Sequence, residues 1–214
     1  QAHREFTTRN TGISQTLATP LPAGVDINQF QNGVKSSTIK LCYHGKLDSN
    51  RGLMQLISIH SRLVDNGVDV ELYLHGNGDL TSKLATLKND KIHVTETLDS
   101  GDLVQCLSGY DVGFLPMPDK RIWRLASPLK RGEYLASGMI ILGINHTGHQ
   151  MDNSGNWLQL FDENKFVQSS VDFIRNLDSE RLRQSQINAR EYAEANLDWS
   201  HSVTILEDIL SKQY

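Results

Sequence analysis

From residue 37 onward the chain alternates short apolar runs with longer amphipathic ones. Ile39, Leu41 and Tyr43 occupy alternate positions over residues 38–44, the period of a strand. A polar stretch bounded by glycines, 45–52, leads into 53–66, where Leu53, Leu56, Ile57, His60, Leu63 and Val64 recur at helical spacing. The alternation then repeats. Residues 68–75, 91–95, 111–115, 139–142 and 157–161 read as strands. Residues 79–88, 102–108, 128–137, 170–177, 179–196 and 200–212 read as helices. The first 38 residues lack a sustained period; Pro20 and Pro22 punctuate Leu21, Gly24–Asp26 reads as a turn and 27–30 as a short helical segment. Strands separated by helices predict an α/β fold, a Rossmann-like parallel sheet with helices on both faces. Right-handed crossovers place every strand's C-terminal end on one edge, where such sheets bind ligands. Function is therefore to be sought in the strand-end loops.

Composition narrows the class. The 214 residues are 38% hydrophobic and 21% charged, the profile of an ordinary globular chain of one large or two small domains. A net charge of −4 argues against a nucleic-acid partner, and no apolar run reaches the roughly 20 residues that span a bilayer. Cys42 and Cys106 cannot build a disulfide framework and read as reduced core residues of a cytosolic protein. No signal peptide is visible, and the sequence starts at Gln1 without a Met.

Three loops carry candidate chemistry. His44–Gly52 places two cations, Lys46 and Arg51, between glycines at a helix start, which suits an anion; the alternative is a solvated loop with two surface cations. It fits neither the phosphate-binding Walker spacing nor the dinucleotide glycine fingerprint. Gly76-Asn77-Gly78-Asp79 reads as a turn with Asn77 or Asp79 capping the next helix, or as backbone free to approach a ligand. The third, 119–133, holds five cations (Lys120, Arg121, Arg124, Lys130, Arg131) and two acids, a local +3 in an acidic chain. Ser127-Pro128 is a helix start with Ser127 as cap, and Gly138 suits the end of that helix. Lys130 and Glu133 lie three residues apart, spaced either for an internal ion pair or for a shared site. In the second case the ammonium holds phosphate and the carboxylate accepts from sugar hydroxyls.

In their order these loops resemble the nucleotide-sugar-binding C-terminal half of a GT-B glycosyltransferase, of the retaining group 1 family called GT4. Residues 21–26 with Phe30 look like that family's Pro-x-Gly-Val-Asp lead-in to its second domain. Gly45-Lys46-Leu47 with Arg51-Gly52 is similar to its Gly-Arg-Leu…Lys-Gly loop, with the two cations exchanged in type. Residues 72–78 resemble its strand followed by Gly-x-Gly, and 103–116 its helix and strand ending in Pro. Ser127-Pro128-Leu129-Lys130…Glu133-Tyr134-Leu135-Ala136-Ser137-Gly138 is the most specific match, and the Trp199 helix resembles the closing segment. Coverage is nearly all of residues 20–212.

The resemblance implies that Gly45, Lys46, Arg51, Ser127 and Lys130 hold a donor diphosphate. It implies that Glu133 binds the ribose, and that Thr95, Glu96, Thr97 and Leu98 lie against the base. His75, Gly76 and Leu129 would stand beside the donor. Where many members carry a second Glu eight residues upstream of the first, this chain has Leu125. No catalytic residue is assigned, no metal and no cofactor is expected, and the substrate is a UDP- or GDP-linked sugar. Residues 1–20 are expected to be a linker remnant and 21–214 the donor domain. The acceptor-binding N-terminal domain would be a partner absent from this chain. The expected location is cytoplasmic, with peripheral membrane association where the acceptor is lipid-borne. A nucleotide-sugar 2-epimerase of the same fold and a non-catalytic nucleotide-binding module are the alternatives. The loop Asn145–His149 carries the closest histidine pair, His146 and His149, and reads as solvated; no further ligand completes a zinc set. Trp123 and Trp199 read as packing residues, and the polar, charged stretch 179–190 as a solvated helix.

Overall fold

A computed structural model describes residues 21, 23–31 and 37–211. The expected linker over 1–20, with Pro20, and Pro22 of the lead-in motif lie outside the described residues. Six strands form one sheet: β1 Ile39–His44, β2 Val70–His75, β3 Ile92–Thr95, β4 Val112–Leu115, β5 Ile140–Ile144 and β6 Leu158–Phe161. All pair in parallel, in the order β3-β2-β1-β4-β5-β6. The strand expectations therefore hold to within two residues at each end, β5 running two residues past its expected end to Ile144. Strands β4 and β5 are buried along their whole length, which follows from helices covering both faces of a parallel sheet.

The helices are α1 Leu53–Asp65, α2 Thr81–Ala85, α3 Ser100–Leu107, α4 Arg121–Arg124, α5 Leu129–Ala136, α6 Phe166–Arg175, α7 Ser179–Asn196 and α8 Trp199–Ser211. The short α4 was not expected, because four residues flanked by charge show no helical period. Helices α1 and α6 pack together, as do α5 and α7. The order of the strands reverses between β1 and β4, and at such a switch point the flanking loops diverge and leave a crevice.

Two local features set the position of α5 over that crevice. Gly113 of β4 lies beneath the Tyr134 ring, and any Cβ at Gly113 would collide with it. Tyr134 is fully buried, and its hydroxyl accepts the His44 N–H at 3.3 Å, which ties α5 to the end of β1. From the other side, α7 packs through the small residues Ser185, Ala189 and Ala193. The charged α7 face is not merely solvated: Arg190 donates to the carbonyls of Ile27, Phe30 and Ala136 and pairs with Glu194. It thus binds the 27–29 turn and the C-terminus of α5 to one helix. No helix among the described residues is long and apolar enough to cross a membrane.

Candidate functional site

The loops after β1 and β2 are joined to each other. Gly45 N donates to His75 O at 2.9 Å, Leu47 N to Asn77 O at 3.0 Å and Leu80 N to Leu47 O at 2.9 Å. A Cβ at Gly76 would run into the Gly45 carbonyl, and one at Gly78 into Leu47 and Asp48. The Gly-x-Gly sequence thus serves the close approach of one loop to the other. Asp79 does not cap the following helix; its carboxylate accepts from Ser49 N at 2.6 Å and Ser49 Oγ at 2.8 Å. The result is a braced platform at the end of β1.

Helix α5 presents its first turn to that platform. Pro128, not Ser127, occupies the cap position, and Ser127 is exposed without a capping hydrogen bond. The reason is backbone geometry: Pro128 remains extended at ψ 115°, so the helix begins one residue later. Lys130 reaches across the crevice, with Nζ donating to His44 O at 2.6 Å and lying 3.9 Å from the centre of the Tyr43 ring. Gly45, at φ 117°, leaves room for the ammonium, which would be 3.0 Å from a Cβ there. Burial first, then the nearby Arg51 charge, lowers the Lys130 pKa to about 7. Glu133, one turn on, places Oε2 at 3.1 Å from His44 Nε2. No Lys130–Glu133 ion pair forms; both side chains turn to His44.

The remaining cations divide. Lys46 is exposed and makes no side-chain hydrogen bond or ion pair among the described residues. Arg51 stacks its guanidinium 4.8 Å over the Trp123 ring and lies 3.7 Å from Asp48, while its buried Nε has no hydrogen-bond partner. Trp123 packs against the core, as expected of it, and its ring also carries the Arg51 guanidinium. Arg124 is engaged by Asp119 through two hydrogen bonds of 2.5 and 2.9 Å. Arg131 donates to the carbonyls of Gly148 and Gln150 at 3.3 and 3.0 Å. The +3 stretch therefore does not act as one patch: Lys130 stands over the end of β1, while Arg124 and Arg131 are engaged elsewhere.

On the β2–β3 side, His75 is 4% exposed and both ring nitrogens are engaged, Nδ1 with Thr95 Oγ1 at 2.7 Å and Nε2 with Tyr110 OH at 2.9 Å. Burial holds its pKa down at about 4, so the ring is neutral. Its ring hydrogen bonds thus close among neighbouring side chains of the sheet edge. Thr95, Glu96 and Thr97 are exposed and Leu98 half-buried, in an open loop braced by Asn77 Nδ2 donating to Thr97 Oγ1 at 3.3 Å. Leu129 is exposed at the start of α5.

No family profile matches the sequence, and no curated protein matches it. Solved structures do. A mutant of S. aureus TarM in complex with fondaparinux, alpha-GlcNAc-glycerol and UDP aligns with a TM-score of 0.72 at 13% identity, covering 99% of this chain and 42% of that one. A glycosyltransferase of Rickettsia africae aligns at 0.76 and 14%, covering 99% and 61%. The C-terminal domain of a glycosyl transferase group 1 family protein, LpcC of Francisella tularensis, aligns at 0.61 and 12%, with 82% of this chain matched to 99% of that domain. The fold is that of a GT-B glycosyltransferase C-terminal domain. The chain spans 42% of the TarM chain and about three-fifths of the Rickettsia one.

In this GT-B-type domain the loop after β5 closes the far side of α5, and it corrects a further expectation. His146 and His149 are buried, not solvated, with ring centroids 3.7 Å apart. His146 Nδ1 accepts the Gly148 N–H while Nε2 meets Met117 O at 3.2 Å; His149 Nδ1 meets Ile144 O at 2.7 Å. A carbonyl can only accept, so each ring's tautomer is fixed by the loop. Burial, with the neighbouring His146 next, presses His149 to about 3, and both rings are neutral packing groups. Gly148 permits this by lying against the carbonyls of Trp123 and Ala126.

The sequence did not single out His44 or Tyr134, which bind α5 to β1. The available signal was a repeated ending: β1 and β2 each close with His-Gly. A separate cleft of about 560 Å³ lies by β6, between α6 and α7, lined by Asn156, Gln159, Asp172, Phe173, Arg181 and Gln184 among others. It shares no residue with the groups around β1.

Proposed function

We propose that this chain is the donor-binding half of a glycosyltransferase that moves a hexosyl group from a nucleotide-diphosphate sugar to an acceptor, whether glycan, lipid or small molecule. One observation carries the reading. At the switch point of a GT-B-type sheet, a lysine and a carboxylate one turn apart on α5 meet the end of β1. Cleavage of the sugar–phosphate bond leaves negative charge on the diphosphate. Lys130, Arg51, Lys46 and the first turn of α5 supply fixed positive charge where that anion would form, so no divalent ion is invoked. Glu133 would accept both ribose hydroxyls, and the open 95–98 loop would flank the base. Similarity to structures that hold UDP supports a UDP-linked donor, with a GDP-linked one as the second choice.

The finer reading follows the resemblance. The protein would be a retaining enzyme of the GT4 group, residues 21–214 would be the donor domain, and an N-terminal acceptor-binding domain would be its partner. It would work in the cytoplasm, at a membrane surface where the acceptor is lipid-borne. The epimerase and the non-catalytic module have no observation in their favour.

Calorimetric titration with UDP, GDP, ADP and their sugars tests the reading. The expected result is binding of one uridine or guanosine nucleotide, weakened about tenfold in Lys46→Ala and in Glu133→Ala, as the loss of a charged hydrogen bond implies. No transfer by this chain alone is expected. Failure to bind any of the panel would overturn the proposal.

A further inference from the structure

We propose that His44 is a positioning residue that sets preference for a ribose over a deoxyribose, because its ring holds Glu133 in place. The inference rests on the nucleotide-binding reading above. His44 is the last residue of β1 and is 8% exposed. Three of its polar atoms face α5. Its carbonyl accepts from Lys130 Nζ at 2.6 Å, its N–H donates to Tyr134 OH at 3.3 Å, and its Nε2 stands 3.1 Å from Glu133 Oε2. The ring meets Tyr134 edge-on, 5.2 Å between centroids at 89°, so its orientation is fixed independently of the carboxylate.

Nε2 is buried and has no hydrogen-bond partner of good geometry, which leaves Glu133 as the group it faces. A buried donor in that state is costly unless the carboxylate satisfies it, so the ring draws Glu133 toward β1. Burial also keeps the imidazole neutral near pH 7. A neutral ring can donate to Oε2 without cancelling the charge of the carboxylate, and Oε1 stays available to a ligand. An unrestrained glutamate on a helix would lose rotamer freedom each time it met a sugar; one already held loses less. Division of labour follows from the atoms used. Lys130 is held by the backbone of His44 and Glu133 by its side chain, so replacing the ring separates anion binding from hydroxyl recognition.

The test compares the native chain with His44→Phe, which keeps an aromatic edge on Tyr134 and the carbonyl for Lys130 but has no ring nitrogen. Ligands are UDP, GDP, their 2′-deoxy counterparts and inorganic pyrophosphate. The native chain should prefer the ribonucleotide about tenfold. In His44→Phe that preference should shrink to within about twofold, while pyrophosphate affinity stays within about twofold of native. His44→Gln, which restores an amide donor, should recover part of the preference, and His44→Leu replaces His44→Phe if the latter does not fold. A merely structural role would weaken nucleotide and pyrophosphate together. Unchanged ribose preference in His44→Phe, or equal loss of both ligands, overturns the inference alone. Absence of nucleotide binding by the native chain overturns it together with the reading it rests on.

Discussion

His44 and His75 are paired in register at the ends of adjacent parallel strands, each followed by a glycine. Both are buried, both are held neutral by that burial, and on sequence the two are equivalent. Their surroundings are not. His75 has a partner for each ring nitrogen, from Thr95 and Tyr110, and stacks in a column with Tyr73 and Tyr110. His44 leaves Nε2 facing the carboxylate of a different element, 89 residues on. A side chain whose hydrogen bonds close among its own neighbours supports the sheet; one with a group left facing the crevice can act on what enters it. The same division separates the cations, with Arg124 and Arg131 each engaged by other groups of the chain and Lys46 and the Arg51 Nε left over.

The largest effect is expected on the closed side. His75→Ala removes a fully packed ring and leaves Tyr110 and Thr95 without its nitrogens, combining a cavity with lost buried hydrogen bonds. The expected cost is about 3 kcal/mol of unfolding free energy. For a domain of this size that lowers the melting temperature by about 6–12 °C. Thermal and urea unfolding measure it. Nucleotide affinity, measured well below the melting point, should stay within about twofold of native. Lost affinity with unchanged stability would reverse the roles assigned to the two histidines.

An intermediate effect separates the regions by pH. His75 and His149 have folded pKa values of about 4 and about 3, below the ordinary 6.5, so the unfolded chain binds protons more readily than the native one. Their contribution to stability is complete above pH 6.5 and lost as pH falls toward 4 for His75 and toward 3 for His149. Lys130 behaves in the opposite direction. Its folded value of about 7 lies below the ordinary 10.5, so its burial costs stability at neutral pH and stability rises between pH 7 and 10.5. Anion binding favours the protonated ammonium, so nucleotide affinity should fall as pH rises through 7, and Lys130→Arg should flatten that profile. Titrations between pH 5.5 and 9 in one buffer system check both arms. An affinity independent of pH in the native chain would remove Lys130 from the diphosphate site.

Much of the fold was legible because parallel strands covered on both faces become uninterrupted apolar runs, and Val112–Leu115 and Ile140–Ile144 stand out against polar loops. The site was legible in part. Lys130 and Glu133 are three residues apart, a spacing that helical geometry turns into one face. The pairing of Glu133 with His44 is set by the crossing of α5 over β4, which depends on Gly113 making room for Tyr134; no local pattern encodes that. Charge counting failed for a related reason. It summed 119–133 as one patch, whereas the chain turns at Pro128 and sends Arg124 and Arg131 to different partners. The histidine loop was misread because polar residues at i and i+3 suit a solvated turn, and only the packing of Gly148 under α4 buries them.

The smallest effect tests the cation division where it is easiest to mistake. Asp119 and Arg124 form the best-aligned ion pair of the 119–133 stretch, yet their side chains are 35% and 53% exposed. The pair lowers the carboxyl pKa of Asp119 and raises that of Arg124, which shows attraction without showing stability, because water screens both groups. Asp119→Ala should therefore move the melting temperature by no more than about 1 °C. It frees Arg124 to face solvent, and a cation released near a diphosphate site would strengthen nucleotide binding if the two were close. If the division drawn here holds, UDP affinity in Asp119→Ala matches native at low salt, where long-range attraction is least screened. A gain of severalfold at low salt that disappears at high salt would mean that Arg124 belongs with Lys130, and that Asp119 restrains it in the free protein.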